Sequence, residues 1–443
     1  MPTNTEAALH ERPAELLQRL IRFDTTNPPG NERACIEWIG GVLREAGVES
    51  RIVAQDPQRP NLIARLAGAG AAPALLMQGH VDVVPAQGRW SHPPFGGEIG
   101  EGYVWGRGAL DMKGGVAMMV AAFLRAAAAD VPPPGDVVLC VMSDEEAGGG
   151  LGARFLVKEH PELFDGVRFG IGEFGGFTLD LSGRRFYPVM VAEKQLCVVR
   201  ATLRGAAGHG SLPVRNGAMG RLGRLLTELD RRRLPVHVTA VVGSMVEAIA
   251  AELPAVSAVA LRGLLRPRMT DLLLDHLGER VGAFDPLLHN TASATIVRGG
   301  QSANVIPGEV SVDLDCRLLP GFGPDELFAE LHALARVNAQ FDVLRHDPGP
   351  SSADMTLFPT LAGILRELDR AGRAVPLLLP AVTDGRHFAR LGIQTYGFLP
   401  MQLPPEMPFM QLIHAEDERI PTEAIEFGAT AIRRLLERFA QTS

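Results

Sequence analysis

Apolar runs at 61–66, 74–77, 136–142 and 168–171 alternate with stretches patterned at helical spacing at 112–129 and 151–159. Short, continuous apolar runs suit strands buried on both faces, and intervening helices cover those faces. The alternation therefore predicts an α/β fold, a mostly parallel sheet flanked by helices. Open sheets of this kind bind ligands beyond the carboxyl ends of their strands.

The chain has 443 residues, more than the roughly 250–300 at which a single core usually stops growing, so two domains are expected. Past Glu193 the texture changes. Strand-like runs at 195–204, 291–298 and 309–318 and helical stretches at 216–231 and 324–336 suit a small α+β domain. Between its halves lies a long, mostly helical stretch, 234–290. Asp347-Pro348-Gly349-Pro350-Ser351-Ser352 reads as a linker, after which βα alternation resumes and ends in a helix at 422–439. The expected arrangement is a discontinuous domain, 1–193 plus 350–443, around an inserted domain at 194–349.

A net charge of −8 with acids and bases interspersed, and no basic stripe, argues against a nucleic-acid surface. Cys35, Cys140, Cys197 and Cys316 lie far apart without C-x-x-C spacing, as expected of reduced core residues rather than a disulfide framework or thiolate zinc site. Residues 1–22 are polar and helix-patterned, and no apolar run approaches the ~20 residues of a membrane span. The expectation is a soluble cytoplasmic protein with no membrane partner.

Five segments carry the chemistry: Gly79-His80-Val81-Asp82, Gly108-Ala109-Leu110-Asp111-Met112-Lys113-Gly114, Asp144-Glu145-Glu146, Glu173 in Ile171-Gly172-Glu173-Phe174-Gly175, and Ile413-His414-Ala415. His80 and Asp82, two apart at a strand end, suit a metal-binding imidazole oriented by a carboxylate, and equally an ordinary surface hydrogen bond. Asp111 stands in a glycine-rich turn before a helix, where it can reach across two ions or simply cap the helix. Two like charges ~4 Å apart at an effective dielectric of ~20 repel by roughly 4 kcal/mol, so Asp144-Glu145-Glu146 calls for a cation or for full solvation. Gly148-Gly149-Gly150-Leu151-Gly152-Ala153 fits a dinucleotide fingerprint, but the preceding acids would repel a pyrophosphate, and a tight turn is the better reading. Taken singly, Glu173 and His414 are ordinary; the set is what points to paired metals.

These segments, with Gly79-His80-Val81-Asp82-Val83-Val84-Pro85 and Gly106-Arg107-Gly108-Ala109-Leu110-Asp111-Met112-Lys113-Gly114-Gly115 in full, resemble the co-catalytic zinc amidohydrolases and exopeptidases. That family includes aminoacylases, glutamate carboxypeptidases, acetylornithine deacetylase and succinyl-diaminopimelate desuccinylase. The resemblance covers nearly the whole chain. It implies two zinc ions per subunit, with cobalt or manganese able to substitute. His80, Asp111 and Glu173 would hold one ion, and Asp111, Glu146 and His414 the other. Glu145 would be the general base and Asp82 the residue that orients His80. The two sequence domains become a catalytic domain and a lid or dimerisation domain.

In the inserted part, Gly208-His209-Gly210-Ser211-Leu212-Pro213 resembles the segment whose histidine stabilises the oxyanion. Ser302-Ala303-Asn304-Val305-Ile306-Pro307 and Asp315-Cys316-Arg317-Leu318-Leu319-Pro320-Gly321 resemble substrate-contacting segments. Asn304 and Arg317 would bind a substrate carboxylate, since a guanidinium fork matches it bidentately; the plain alternative for Arg317 is a surface salt bridge. Gln195 and Gly385, in Thr383-Asp384-Gly385-Arg386, depart from the common pattern and bear on substrate choice. The 234–290 stretch resembles that of the carboxypeptidase S-like and fatty-acyl amino acid hydrolase branch.

The expected activity is hydrolysis of N-acyl-L-amino acids or short peptides beside a free α-carboxylate, with a small-molecule substrate as the partner. A hydrolase of other amides or carbamoyl compounds and a non-catalytic metal-binding relative are the alternatives. A serine hydrolase is disfavoured because Gly208-His209-Gly210-Ser211 lacks the G-x-S-x-G elbow. Relatives often form homodimers through the inserted domain and pass the His209 equivalent into the partner's site. The long insertion could instead supply a self-contained closure.

Overall fold

The computed structural model describes residues 9–278 and 281–440. Expectations that touch 1–8, 279–280 and 441–443, at the two ends and within the helical stretch, lie outside the described residues. The chain divides into two compact units, one of 1–191, 354–377 and 383–443, the other of 192–353 and 378–382.

The first unit is built on a nine-stranded sheet. At its centre Val137–Met142, Ala74–His80, Val167–Gly172 and Gln394–Gly397 run parallel. Asn61–Leu66 and Ser50–Val53 extend one side antiparallel, and Arg184–Glu193 the other. Every residue of Ala74–His80 and Val137–Met142 is buried, which is why these strands read as unbroken apolar runs. The helix Lys113–Ala127 packs against Thr422–Arg438, and Gly428 brings the two close, since a Cβ there would collide with Met118. The parallel strands end at His80, at Met142 just before Asp144, and at Gly172 just before Glu173. One end of the sheet thus collects imidazole and carboxylate.

The second unit holds a four-stranded antiparallel sheet in the order Thr291–Gly299, Glu309–Leu318, Gln195–Arg204, Ala339–Asp347. Cys197, Val199, Ala201 and Leu203 alternate inward with Val310, Val312, Leu314 and Cys316 and pack with residues of Ala218–Arg231 and Pro324–Ala335. Each buried valine or leucine among them contributes about 1.5–3 kcal/mol. Cys197 and Cys316 are cross-strand partners, and all four cysteines are free and buried. Among the described residues, the helices Ala240–Ala250, Ala255–Gly263, Pro267–Leu277 and Asp285–Leu288 and the short helical turn Gly282–Phe284 occupy the stretch read as helical. Asp347 closes its strand, paired with Arg345 at 2.6 Å, so the irregular segment starts one residue later than the proline and glycine pattern indicates. Among the described residues no helix is long and apolar enough to cross a membrane.

Candidate metal centre

His80 ends its strand and Asp82 follows two residues on, both buried. His80 Nδ1 faces Asp82 at 3.0 Å from the backbone oxygen and 3.5 Å from carboxylate Oδ1. This directs Nε2 toward Asp111 Oδ1 at 3.2 Å and Glu173 Oε2 at 3.6 Å. The Asp82 carboxylate has further work: it accepts from the backbone N–H groups of Glu145 at 3.1 Å and Glu146 at 3.0 Å, and from Asn27 Nδ2 at 2.9 Å.

Asp111 does not cap the helix after it; Met112 holds the N-cap position, with no side-chain cap bond. Its two oxygens instead face two histidines, Oδ1 toward His80 and Oδ2 toward His414 Nε2, each at 3.2 Å. The loop carrying Asp111 is held by Glu418, which is fully buried and accepts from the backbone N–H of Leu110 at 2.7 Å and of Gly108 and Asp111 at 3.2 Å. Arg107 donates to Glu418 at 2.7 Å and to the His414 carbonyl at 3.2 Å, so one arginine ties the Asp111 and His414 segments together.

Asp144 takes φ of 75°, in the left-handed region, and turns the chain sharply out of the sheet. The glycines beyond it serve this turn: Gly148 donates to the Glu145 carbonyl and Gly149 to the Asp144 carbonyl, both at 2.7 Å. Leu151 N–H donates to Asp144 Oδ2 at 2.9 Å. Glu146 Oε1 is buried, lies 3.3 Å from His414 Nε2 and accepts no hydrogen bond among the described residues. A carboxylate oxygen and an imidazole nitrogen facing each other at that range, without an aligned hydrogen bond between them, mark a place for a cation.

Ligand atoms of His80, Asp111 and Glu146 lie within 4.8 Å of one another, as do those of His80, Glu145 and Glu173. These groups could hold a metal ion. Imidazole and carboxylate donors fit zinc, and cobalt or manganese as well. Burial drags the His80 pKa down, but hydrogen bonds to Asp111, Asp82 and Glu173 overcome it and raise it well above the usual value. The carboxylates of Asp111 and Glu146 beside it push His414 up to about 10. Burial raises Glu173 to about 7, and burial with the nearby Glu173 charge raises Glu145 well above the carboxylate range. The acids thus gather positive charge wherever it is available.

Several residues here carry no local sequence signal. Arg59 donates to both oxygens of Glu32, with contacts down to 2.6 Å, and to Asp144 Oδ1 at 2.8 Å. Gly30, with φ of 85°, leaves the space the guanidinium fills. Arg386 Nη1 lies 3.9 Å from Glu145 Oε1. Asp384 is buried, and neither of its carboxylate oxygens has a hydrogen-bond partner among the described residues. Glu32 and Glu418 look like surface acids in sequence; only the tertiary path reveals their partners.

The remaining sequence candidates belong to the second unit. The short strand Gly208–His209 pairs with Val305–Ile306, and Gly210 N–H donates to the Asn304 carbonyl at 2.7 Å, which makes His209 and Asn304 neighbours. His209 is exposed, with Nδ1 at 2.7 Å from Ser211 Oγ. Arg317 forks onto Asp315 at 2.8 and 3.1 Å. Its charge, after burial, helps lower the pKa of Lys194 to about 7; that ammonium donates to the carbonyls of His289 at 2.8 Å and Pro286 at 3.0 Å.

A mostly parallel sheet with this histidine and carboxylate cluster at its strand ends, joined to an α+β unit, defines a metal-dependent hydrolase. The sequence model of peptidase family M20/M25/M40 matches residues 76–438, and the chain belongs to that family. It is accordingly a metallo-amidohydrolase. It is similar to the probable carboxypeptidase S-like 2 of Dictyostelium discoideum, 26% identical over 364 residues that cover 78% of this chain and 68% of that one. Succinyl-diaminopimelate desuccinylase of Paracoccus denitrificans (strain Pd 1222) is 28% identical over 443 residues, covering 96% of this chain and 98% of that one. The fold is similar to that of the M20 family metallo-carboxypeptidase Sso-CP2 from Sulfolobus solfataricus, with a TM-score of 0.67, 18% identity and coverage of 97% of this chain and 99% of that one.

Proposed function

We propose that this chain hydrolyses the amide bond of N-acyl-L-amino acids or short peptides beside a free α-carboxylate, using two divalent ions, zinc first among them. The observation that carries the reading is Asp111, whose two oxygens face His80 and His414 at 3.2 Å each. His80, Asp111 and Glu173 would hold one ion, and Asp111, Glu146 and His414 the other. When bound, such a pair supplies a water acidified from about 15.7 toward about 7 and a Lewis acid for the carbonyl oxygen.

Glu145 takes the proton of the attacking water on its carboxylate and delivers it to the departing nitrogen, because an amide anion is too poor a leaving group. Asp82 holds His80 through Nδ1 and the Glu145-Glu146 backbone through its two oxygens. His209 is assigned to the oxyanion, and Asn304 and Arg317 to the substrate carboxylate. Arg317 already holds Asp315 bidentately, so binding there exchanges one carboxylate for another. A homodimer through the second unit, with His209 serving the partner's site, belongs to the same proposal; mixing His209→Ala with Glu145→Ala protein should then recover some activity by subunit exchange.

The test is amino-acid release by zinc-loaded protein from N-acetyl, N-long-acyl and N-aminoacyl amino acids, with and without chelator. Glu145→Ala should keep its zinc and lose turnover. Full activity in that variant removes Glu145 from the role.

A further inference from the structure

The side chain of His414 is 47% exposed, whereas those of His80, Asp111, Glu146 and Glu173 lie between 2% and 13%. Packing therefore does little to aim this imidazole, and its direction follows from the backbone beneath it. That backbone is unusual. His414 has φ of 63° and Asp417 φ of 55°, both in the left-handed region that residues other than glycine keep only where their surroundings hold them.

Two sets of contacts hold the segment. From inside, Arg107 donates to the His414 carbonyl at 3.2 Å, and Gly106 N–H donates to the Glu418 carbonyl at 2.9 Å. From outside, Ser91 closes on Asp417 twice: its backbone N–H donates to Oδ1 at 2.7 Å and its hydroxyl to Oδ2 at 2.6 Å. The hydrogen bond from that hydroxyl holds the Asp417 carboxyl below its usual pKa, so the acceptor is a charged carboxylate and the bonds are of the stronger, charge-assisted kind. Beside this pair Gly88, with φ of 83°, leaves room for the Glu416 side chain, which a Cβ there would strike.

Ser91 itself stands on a firm base. Trp90 before it lies against the Arg107 guanidinium, with Cζ 5.0 Å from the ring centroid, and donates from Nε1 to the Gln87 carbonyl at 3.0 Å. His92 after it stacks on Trp105, with ring centroids 4.2 Å apart. The stretch that carries these residues starts at Asp82, just past the strand that ends in His80. One loop thus orients His80 at its beginning and grips the His414 segment at its far end.

We propose that Ser91 is a positioning residue for the ion assigned to Asp111, Glu146 and His414: its clasp on Asp417 fixes the left-handed segment from which His414 is aimed. The proposal rests on the two-ion reading above and adds the contact that sets the affinity of the more exposed position. Ser91 acts through Asp417 and the backbone, not on the reacting atoms.

The experiment compares the parent with Ser91→Ala and with Ser91→Thr, which keeps the hydroxyl and has space for its methyl because Ser91 is exposed. Competition against a chromogenic chelator gives the two zinc dissociation constants. Ser91→Ala should weaken the looser ion about tenfold or more and change the tighter one by less than about twofold, while Ser91→Thr binds both as the parent does. At limiting zinc, kcat should fall with occupancy of the looser position while KM keeps the parent's value, and excess zinc should restore kcat. Unchanged constants in Ser91→Ala overturn the proposal. So does an equal loss at both positions, which is what a general loosening of the fold produces. A parent that binds fewer than two zinc ions overturns the two-ion reading instead, and hydrogen exchange in metal-free protein then judges the clasp alone. Amides of 415–419 that exchange about tenfold faster in Ser91→Ala, but not in Ser91→Thr, support it; equal rates in all three proteins overturn it.

Discussion

Arg59 donates from Nη1 to Asp144 Oδ1 at 2.8 Å, and so grips the residue immediately before the candidate base Glu145. The same guanidinium is forked onto Glu32, which is fully buried. Asp82 holds the next two backbone N–H groups from the other side. The left-handed turn at Asp144 is thus clamped from both ends, and Glu145 and Glu146 inherit their directions from it.

Arg59→Met should lower kcat at least tenfold while leaving KM near wild type, and should weaken the ion assigned to Glu146, because the turn that aims Glu145 and Glu146 loosens and the substrate contacts are untouched. It should also destabilise by about 3–5 kcal/mol, since Glu32 and Asp144 stay buried without their cation. Adding Glu32→Gln should restore part of that stability, with a coupling of about 1–3 kcal/mol. Strict additivity in denaturant unfolding, or full kcat in the single variant, rejects the clamp.

Glu418 accepts three backbone N–H groups of the Asp111 loop as well as Arg107. Glu418→Gln keeps an acceptor oxygen but strands the buried Arg107 charge and loosens the loop. Zinc affinity should fall about 10–100-fold, the usual effect of removing a partner that orients a ligand. Competition against a chromogenic chelator measures it, and an unchanged constant rules out the role.

The parallel core strands were legible because both of their faces are buried, which leaves an unbroken apolar run in the chain. His80, Asp111, Glu145, Glu146, Glu173 and His414 were legible as a set of segments, and the structure brings them together at one end of the sheet. Glu32, Arg59 and Glu418 were not, because an acid or arginine beside polar neighbours reads as surface. Their partners lie 27, 85 and 311 residues away in the chain, at Arg59, Asp144 and Arg107, and no local pattern encodes such pairs. The antiparallel flanks of the sheet were hidden for a similar reason: Asn61–Leu66 has the same apolar texture as its parallel neighbours, and only the connection decides its direction.

Asp384 gives a pH signature. Burial raises its pKa from 3.8 to about 6, so between those values the folded protein binds the proton more tightly than the unfolded chain. Its contribution to stability is fully present below about 3.8 and is lost as pH rises through about 6. Asp384→Asn should therefore be more stable than the parent above pH 6, by up to about 3 kcal/mol, with the advantage shrinking toward zero near pH 4. Urea midpoints of chelator-treated protein at several pH values test this, and a difference independent of pH refutes it.

His80 and His414 face the same carboxylate from unequal surroundings: the side chain of His80 is 2% exposed and that of His414 is 47% exposed. An ion held by Asp111, Glu146 and His414 would lie nearer solvent, and its histidine stands on a segment that begins with the four-residue helix Phe409–Leu412. A chelator should reach it first. Zinc removal should then proceed in two phases of equal amplitude, with activity lost in the first. His414→Ala should remove the fast phase and leave one tightly held zinc, whereas His80→Ala, at the buried end, should weaken both through the shared Asp111. Metal counts by atomic emission alongside the release kinetics decide the matter. A single phase in the parent protein, or His414→Ala that still carries two zinc ions, would show that the two positions are not distinct in the way their exposure implies.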